Sequence, residues 1–586
     1  MTRPVTRARV VRVLVAVLLG GVVVSACTTL PEKGSVHRVT EASPDQDQGP
    51  PYFQPSGPTK DASPSQTVSD FLIAMTANPL TTSVARTFLS DRARAAWKPN
   101  RATIVYEAPT VLPGSDGVRV RLADTRRLDA RGGWRGGTPG HSETIDFQLV
   151  SERGQWRIDN PINALVVPSS FFDRSFARFN LYFFDQTGHT LLPDPVFIPR
   201  GEQSATNLVR GLLAGPGVSL GDISNSALPR GTSLDLSVVV TESGVAEVPL
   251  SREVLTMPRA ELNRAVDQIA WTLRQVPGIE RLRITVGGSP VPLPNGSTDA
   301  PVTSGAEYDA AGTGASFLWG LRAGRVVDLD PDPAPIGGPL GRAGYPMRSL
   351  AVSESPRRIA AVSTGGRTVF VSPVATSAAA VRVTRVVTDG TDVLRPQYDM
   401  FGDLWLIDRT PAGARVLVVR GRQVRTLAVP GVTGADVAAF TVARDGSRMA
   451  VAYAGSPAPA LRVVDILRTD EGIVSGAGRS RTFSDGRSDS ARIVDLGWRD
   501  PATLAVLTRP TEETSEVTFV SSDGSPVSPD LVQPNVFRGA AAALVVAPDT
   551  DLPLHLITPD QRLYTLSAGG AWPRSSSRVA AATYVR

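Results

Sequence analysis

The residue types that carry chemistry are few in this chain, and they stand apart. Its single cysteine, Cys27, has no second thiol to pair with, so no intrachain disulfide can form. The four histidines, His37, His141, His189 and His555, fall in different segments without HxH or HxxxH spacing. Zinc needs converging nitrogen or sulfur ligands, so no metal site is expected. Gly217-Val-Ser219-Leu-Gly221 matches the G-x-S-x-G of serine hydrolases by letters. That nucleophile needs a strand before it and a helix after it. Here the run follows a helical pattern ended by Gly215-Pro216. Asp328-Leu-Asp330-Pro-Asp332 opens like a calcium loop, but Pro333 stands where the turn needs glycine, and no glutamate closes it. No phosphate-cradling loop is present. Without a nucleophile, base and oxyanion donors in one pattern, the chain is expected to be no enzyme and to take no cofactor.

The surroundings of Cys27 carry more information. Arg3, Arg7, Arg9 and Arg12, with no acid among them, lead into the apolar run Val13–Val24. That run is shorter than the ~20 residues of a spanning helix and reads as a secretory signal. Val24-Ser25-Ala26-Cys27 resembles the lipobox of bacterial lipoproteins. The resemblance implies that residues 1–26 are a signal peptide and that the Cys27 thiol is diacylated. Two acyl chains give stable anchoring. The expected place is therefore the cell membrane, lipid-anchored, on the extracytoplasmic face. Loss of residues 1–26 removes four arginines, so the formal charge of +5 falls to +1 (5 − 4). The basic isoelectric point of about 9.5 thus gives no reason to expect nucleic acid. A hydrophobic content of 41% in 586 residues supports packed cores in two to four domains.

Residues 27–64 are polar and rich in Pro, Gly, Asp and Gln, and read as a flexible tether with a random-coil reach of about 30 Å. An α+β domain is expected over 65–174. Ser65 is its first helix cap, Val68, Phe71, Leu72 and Met75 are the buried face, and a second helix runs from about Thr82 to Trp97. Strands follow at 103–106, 118–122, 143–150 and 155–158. Arg131-Gly-Gly-Trp134 is similar to the Arg-Gly-Gly tracts of RNA-binding proteins, but one copy reads as a loop. Over 175–289, a strand at 181–184 precedes a helix carrying Leu208, Val209, Leu212 and Leu213. Leu234, Leu236, Val238 and Val240 alternate as a strand. Pro258 opens a long helix whose buried stripe is Leu262, Val266, Ile269, Leu273 and Val276. A linker is expected over 290–314. Over 315–586 a strand, turn and strand unit recurs at Leu350, Tyr398, Phe440, Leu496 and Leu544, at blade-like spacing. A sixth unit can be built from Phe317-Leu318 and Val326-Val327 with the C-terminal strand closing the ring.

Two helices followed by strands ending in Gly154-Gln-Trp-Arg-Ile158 resemble the nuclear transport factor 2-like fold. Leu212-Leu-Ala-Gly-Pro216, Leu228-Pro-Arg-Gly-Thr232, Gln268-Ile-Ala-Trp-Thr-Leu273 and Pro277-Gly-Ile279 resemble the GerMN domain, which is not generally an enzyme. The expected fold class is multidomain: two α+β domains followed by an all-β propeller of about six blades. This order behind a lipobox resembles the LpqB family of actinobacterial lipoproteins. The resemblance implies binding to the extracytoplasmic part of an MtrB-like sensor kinase, with influence on two-component signalling and envelope growth. The alternative is a module that binds a wall glycan or small ligand, hydrolysing it or not, in the propeller channel. The anchor is directly testable. Cys27→Ala is expected to abolish partitioning into the detergent phase, and equal partitioning of mutant and wild type would place the anchor elsewhere.

Overall fold

A computed structural model describes residues 52–585, apart from 115–116, 138–139, 313–316, 331, 355–356, 375–381, 455–459 and 485–491. The expected signal peptide, Cys27 and the expected tether up to residue 51 lie outside the described residues.

Helix α1 (Pro64–Ala74) begins two residues earlier than its pattern suggests, because Ser63 and not Ser65 is the cap. The Ser63 Oγ accepts from Gln66 N–H, and Pro64 fits the first turn, where its missing N–H costs nothing. Val68, Phe71, Leu72 and Met75 are buried as expected. The second helix is two short ones, α2 (Ser83–Arg86) and α3 (Asp91–Ala96). Ser90 divides them by capping α3 through Ala93 N–H while its hydroxyl donates to Asp159. Residues 52–62, read as the end of the tether, lie against this domain. Phe53 pairs with Asn78 through both backbone bonds, and Pro55 is buried. The strands form small separate sheets instead of one curved antiparallel sheet. Ala102–Tyr106 runs between antiparallel Arg126–Asp129 and parallel Leu165–Pro168, and Val118–Leu122 sits between Pro109–Pro113 and Glu143–Phe147. Helix α4 (Ser169–Ser175) leads out of this domain.

The second domain starts with a long hairpin, Phe176–Asp185 against Leu191–Pro199. Helices α5 (Ser204–Leu213) and α6 (Arg259–Leu273) share its core with the parallel pair Val245–Pro249 and Arg281–Val286. Leu262, Val266, Ile269 and Leu273 are buried and Val276 is half-buried, as the helical period requires. The run 234–240 departs from simple alternation. Val238 N–H turns inward to the Thr206 hydroxyl, which leaves Leu236 73% exposed and only Val239–Val240 as regular strand. The expected linker also differs. Val291, Leu293 and Ala300 enter the core of this domain, Ala300–Pro301 pairs with Arg281–Leu282, and Trp271 Nε1 donates to Gly305 O at 2.8 Å. Its Pro and Gly residues make tight turns between core contacts.

The C-terminal part folds into six four-stranded antiparallel sheets, the blades of a propeller. Blades 1 to 5 begin at Met347, Gln397, Val437, Arg492 and Ala543. Each sequence repeat falls on the two inner strands of its blade. Blade 6 joins Ala581–Val585, its innermost strand, to Phe317–Arg322, Arg325–Asp328 and Ala334–Pro335. Joining the two ends of the domain in one sheet removes the open edge that a linear array would expose. A carboxylate in the second core is expected to unfold that domain. Leu273→Asp buries an unpaired charge at a fully enclosed position, a cost of roughly 4 kcal/mol. Limited proteolysis as slow as in wild type would show the position to tolerate charge.

Candidate functional site

The domains are joined by specific buried contacts, and those contacts shape the surface available for binding. The strand Arg126–Asp129 ends in a tight turn in which one Asp129 carboxylate oxygen accepts from Arg131 and Gly133 N–H. This turn enters the second domain. Gly132 O accepts from Phe197 N–H, Gly133 bridges to Val196, and Trp134 packs on Phe197. Gly132 has φ +84°, and a Cβ there would stand 2.3 Å from Phe197 O, so both conformation and approach demand glycine. Arg131 donates to Asp194 at 2.8 Å and to Gly215 O at 2.9 Å. Asp194, nearly inaccessible, also accepts from Gly217 N–H and the Ser219 hydroxyl. Ser219 therefore anchors a carboxylate, as a buried charge requires; it heads no hydrolase elbow.

The hairpin turn of the second domain rests on the propeller. Gln186 accepts from Arg468 N–H, His189 meets Phe401 edge-on, Arg178 donates to Ser521 at 2.9 Å, and Arg479 pairs with Asp222. Beneath the turn, Arg468 is buried between Asp399 and Asp403, with Arg420 on the far side of Asp403. Burial pushes the Asp399 carboxyl upward, and Arg468 opposes the shift. Trp405 Nε1 and the N–H groups of Phe401 and Asp403 also donate to Asp399, so its lone pairs are satisfied.

The propeller axis is a channel lined by the inner strands of all six blades. Arginine bars cross it. Arg395 of blade 2 reaches Asp495 and Leu496 O of blade 4 and Leu544 O of blade 5. On the side of the second domain, Arg444 of blade 3 holds Glu354 of blade 1 with two bonds and touches Ala310 O. The free space is about 140 Å³, room for a few waters at about 30 Å³ each. Tyr584 of blade 6 lines it and donates to Pro553 O, and His555 Nε2 lies 2.8 Å from the Tyr584 hydroxyl. His555 is buried, with Thr565 Oγ1 on its other nitrogen, and burial lowers its pKa to about 4.

Three family models match in succession: the N-terminal domain of lipoprotein LpqB over residues 57–173, a sporulation and spore germination domain over 180–292, and the LpqB beta-propeller domain over 324–575. The chain belongs to the LpqB lipoprotein family. It is 26% identical to lipoprotein LpqB of Streptomyces avermitilis over 99% of this chain and 98% of that one. With the LpqB of Streptomyces coelicolor it shares 26% over 96% of each, and with that of Cutibacterium acnes 26% over 83% and 85%. These names indicate no catalytic family. The sporulation and spore germination model covers the middle domain, matching the GerMN resemblance.

Of the residues singled out in sequence, Cys27 and His37 lie outside the described residues. His141 sits exposed on the first domain, His189 at the interdomain turn and His555 inside blade 5, so these three described histidines do not converge. Among the described residues no cluster of acids, histidines or cysteines has metal-holding geometry, and no helix is long and apolar enough to cross a membrane. Arg131, Arg395 and Arg444, which join or close the domains, had no local signal beyond the glycines beside Arg131. His555 gives a pH dependence. Unfolded histidine takes up a proton near pH 6.5, and the folded ring only near pH 4. Its contribution is full above pH 6.5 and is lost on acidification, about 2 kcal/mol between pH 7 and 5. In His555→Gln, the fall in thermal midpoint over that range is expected to be smaller than in wild type, and identical falls would contradict a neutral ring.

Proposed function

We propose that this LpqB-family chain is a non-catalytic lipoprotein, anchored through Cys27 on the extracytoplasmic face of the cell membrane. There it binds the extracytoplasmic part of an MtrB-like sensor kinase and modulates two-component signalling and envelope growth. The observation that carries the binding role is the pair of interdomain clamps. With Arg131 held in the second domain and Gln186 and His189 seated on the propeller, the domains offer one preorganised surface. A surface already rigid loses less entropy on docking. A stable interface would bury roughly 1,200–2,000 Å² in total, which domains of this size can supply. The crossed channel weighs against the alternative, since a wall glycan would first have to displace the Arg395 or Arg444 bar.

The test is binding of the full-length protein, in detergent micelles, to the purified extracytoplasmic domain of the cognate kinase. Saturable binding is expected. No kinase binding, together with turnover of wall-derived glycans or esters, would turn the reading toward an enzyme.

A further inference from the structure

One surface feature belongs to neither the clamps nor the channel. Where the described chain begins, Tyr52 and Phe53 border a cleft of about 360 Å³ whose other wall is helix α4 with Phe171, Arg174 and Ser175. Tyr52 is 75% exposed and Phe53 45%, so two aromatic side chains stand in water beside each other. Arg174 is exposed and is the only charged residue among the described lining. Ser175, 6% exposed, lines the same cleft, and its buried Oγ has no hydrogen-bond partner among the described residues.

We propose that this cleft docks on the surface of an anionic lipid bilayer: Arg174 takes a lipid phosphate while Tyr52 and Phe53 enter the headgroup layer. Tyrosine with a neighbouring cation is the composition that settles at a membrane–water boundary, where one end of the ring is apolar and the other wet. An arginine there gains from the negative surface potential, and its fork matches phosphate oxygens. Position supports the same occupant. The proposal rests on lipidation at Cys27, which leaves residues 28–51 between the acyl chains and Tyr52, at most about 80 Å even fully extended. The mouth of the cleft is thus the part of the described protein that the chain itself delivers to the bilayer. Docked this way, the first domain would be held in one orientation on the membrane, and the clamps would pass that orientation to the propeller.

The experiment uses the full-length lipidated protein on vesicles of phosphatidylcholine, with and without phosphatidylglycerol. Flotation on phosphatidylcholine alone reads the anchor, and loss of flotation there would refute the anchor independently of the cleft. Backbone hydrogen exchange at residues 52–54 and 170–176 reads the docking. Phosphatidylglycerol is expected to slow it about fivefold, the factor that one basic side chain supplies at an anionic surface. Arg174→Glu is expected to remove the slowing and Arg174→Lys to retain most of it, with unchanged thermal midpoints because the side chain is exposed. Equal exchange on both vesicle types would overturn the proposal. Equal slowing by inorganic phosphate without vesicles would also overturn it, in favour of a soluble anion.

Discussion

The carboxylate of Asp194 lies inside the second domain, yet the cation that neutralises it belongs to the first. A buried charge without its partner costs several kcal/mol, far more than a surface ion pair returns. Separating the domains would expose that cost and strand Gly215 O and the Gly132–Phe197 bond as well. Gly132 makes the approach possible by letting its backbone meet that of Phe197. The first two domains therefore behave as one body, for reasons that reside in a five-residue turn.

The propeller is held by a different principle. Each blade pairs its strands locally, and apolar side chains between blades supply the bulk of the adhesion. Buried charges then join strands and blades, at places where a wrong register would leave them unpaired. Arg468 between Asp399 and Asp403 ties blade 3 to blade 2, and Arg395 ties blade 2 to blades 4 and 5 across the axis. Such bars trade an open channel for a stiff ring. A stiff ring suits a scaffold whose exposed loops do the recognising.

Where the chain could be read from its letters, the information was local. The stripe Leu262, Val266, Ile269 and Leu273 repeats at helical spacing, so its burial follows from helix geometry alone. The inner strand pairs of the blades were legible for the same reason, each being a short apolar run on either side of a polar turn. Residues 290–301 read as part of a linker because Pro, Gly and Ser surround them, while Val291, Leu293 and Ala300, which enter the core, are too widely spaced to form a period. Ser90 ended a helix that the apolar pattern continued, since capping by Ser90 and its bond to Asp159 depend on a strand 69 residues away. Arg131, Arg395 and Arg444 find their partners 63 to 149 residues away, and nothing in their neighbourhoods announces it.

The closure of blade 6 has a consequence for how the protein comes into being. Ala581–Val585 forms the innermost strand against Phe317–Leu321, so blade 6 is complete only once residues 581–585 have been added. While those five residues are still missing, the first two domains, which precede blade 6 in the chain, are already present. The propeller at that stage is an arc with two unpaired edges, open to strands from neighbouring chains. Ala581–Val585 converts the arc into a ring, so the continuity of the whole propeller rests on one five-residue strand.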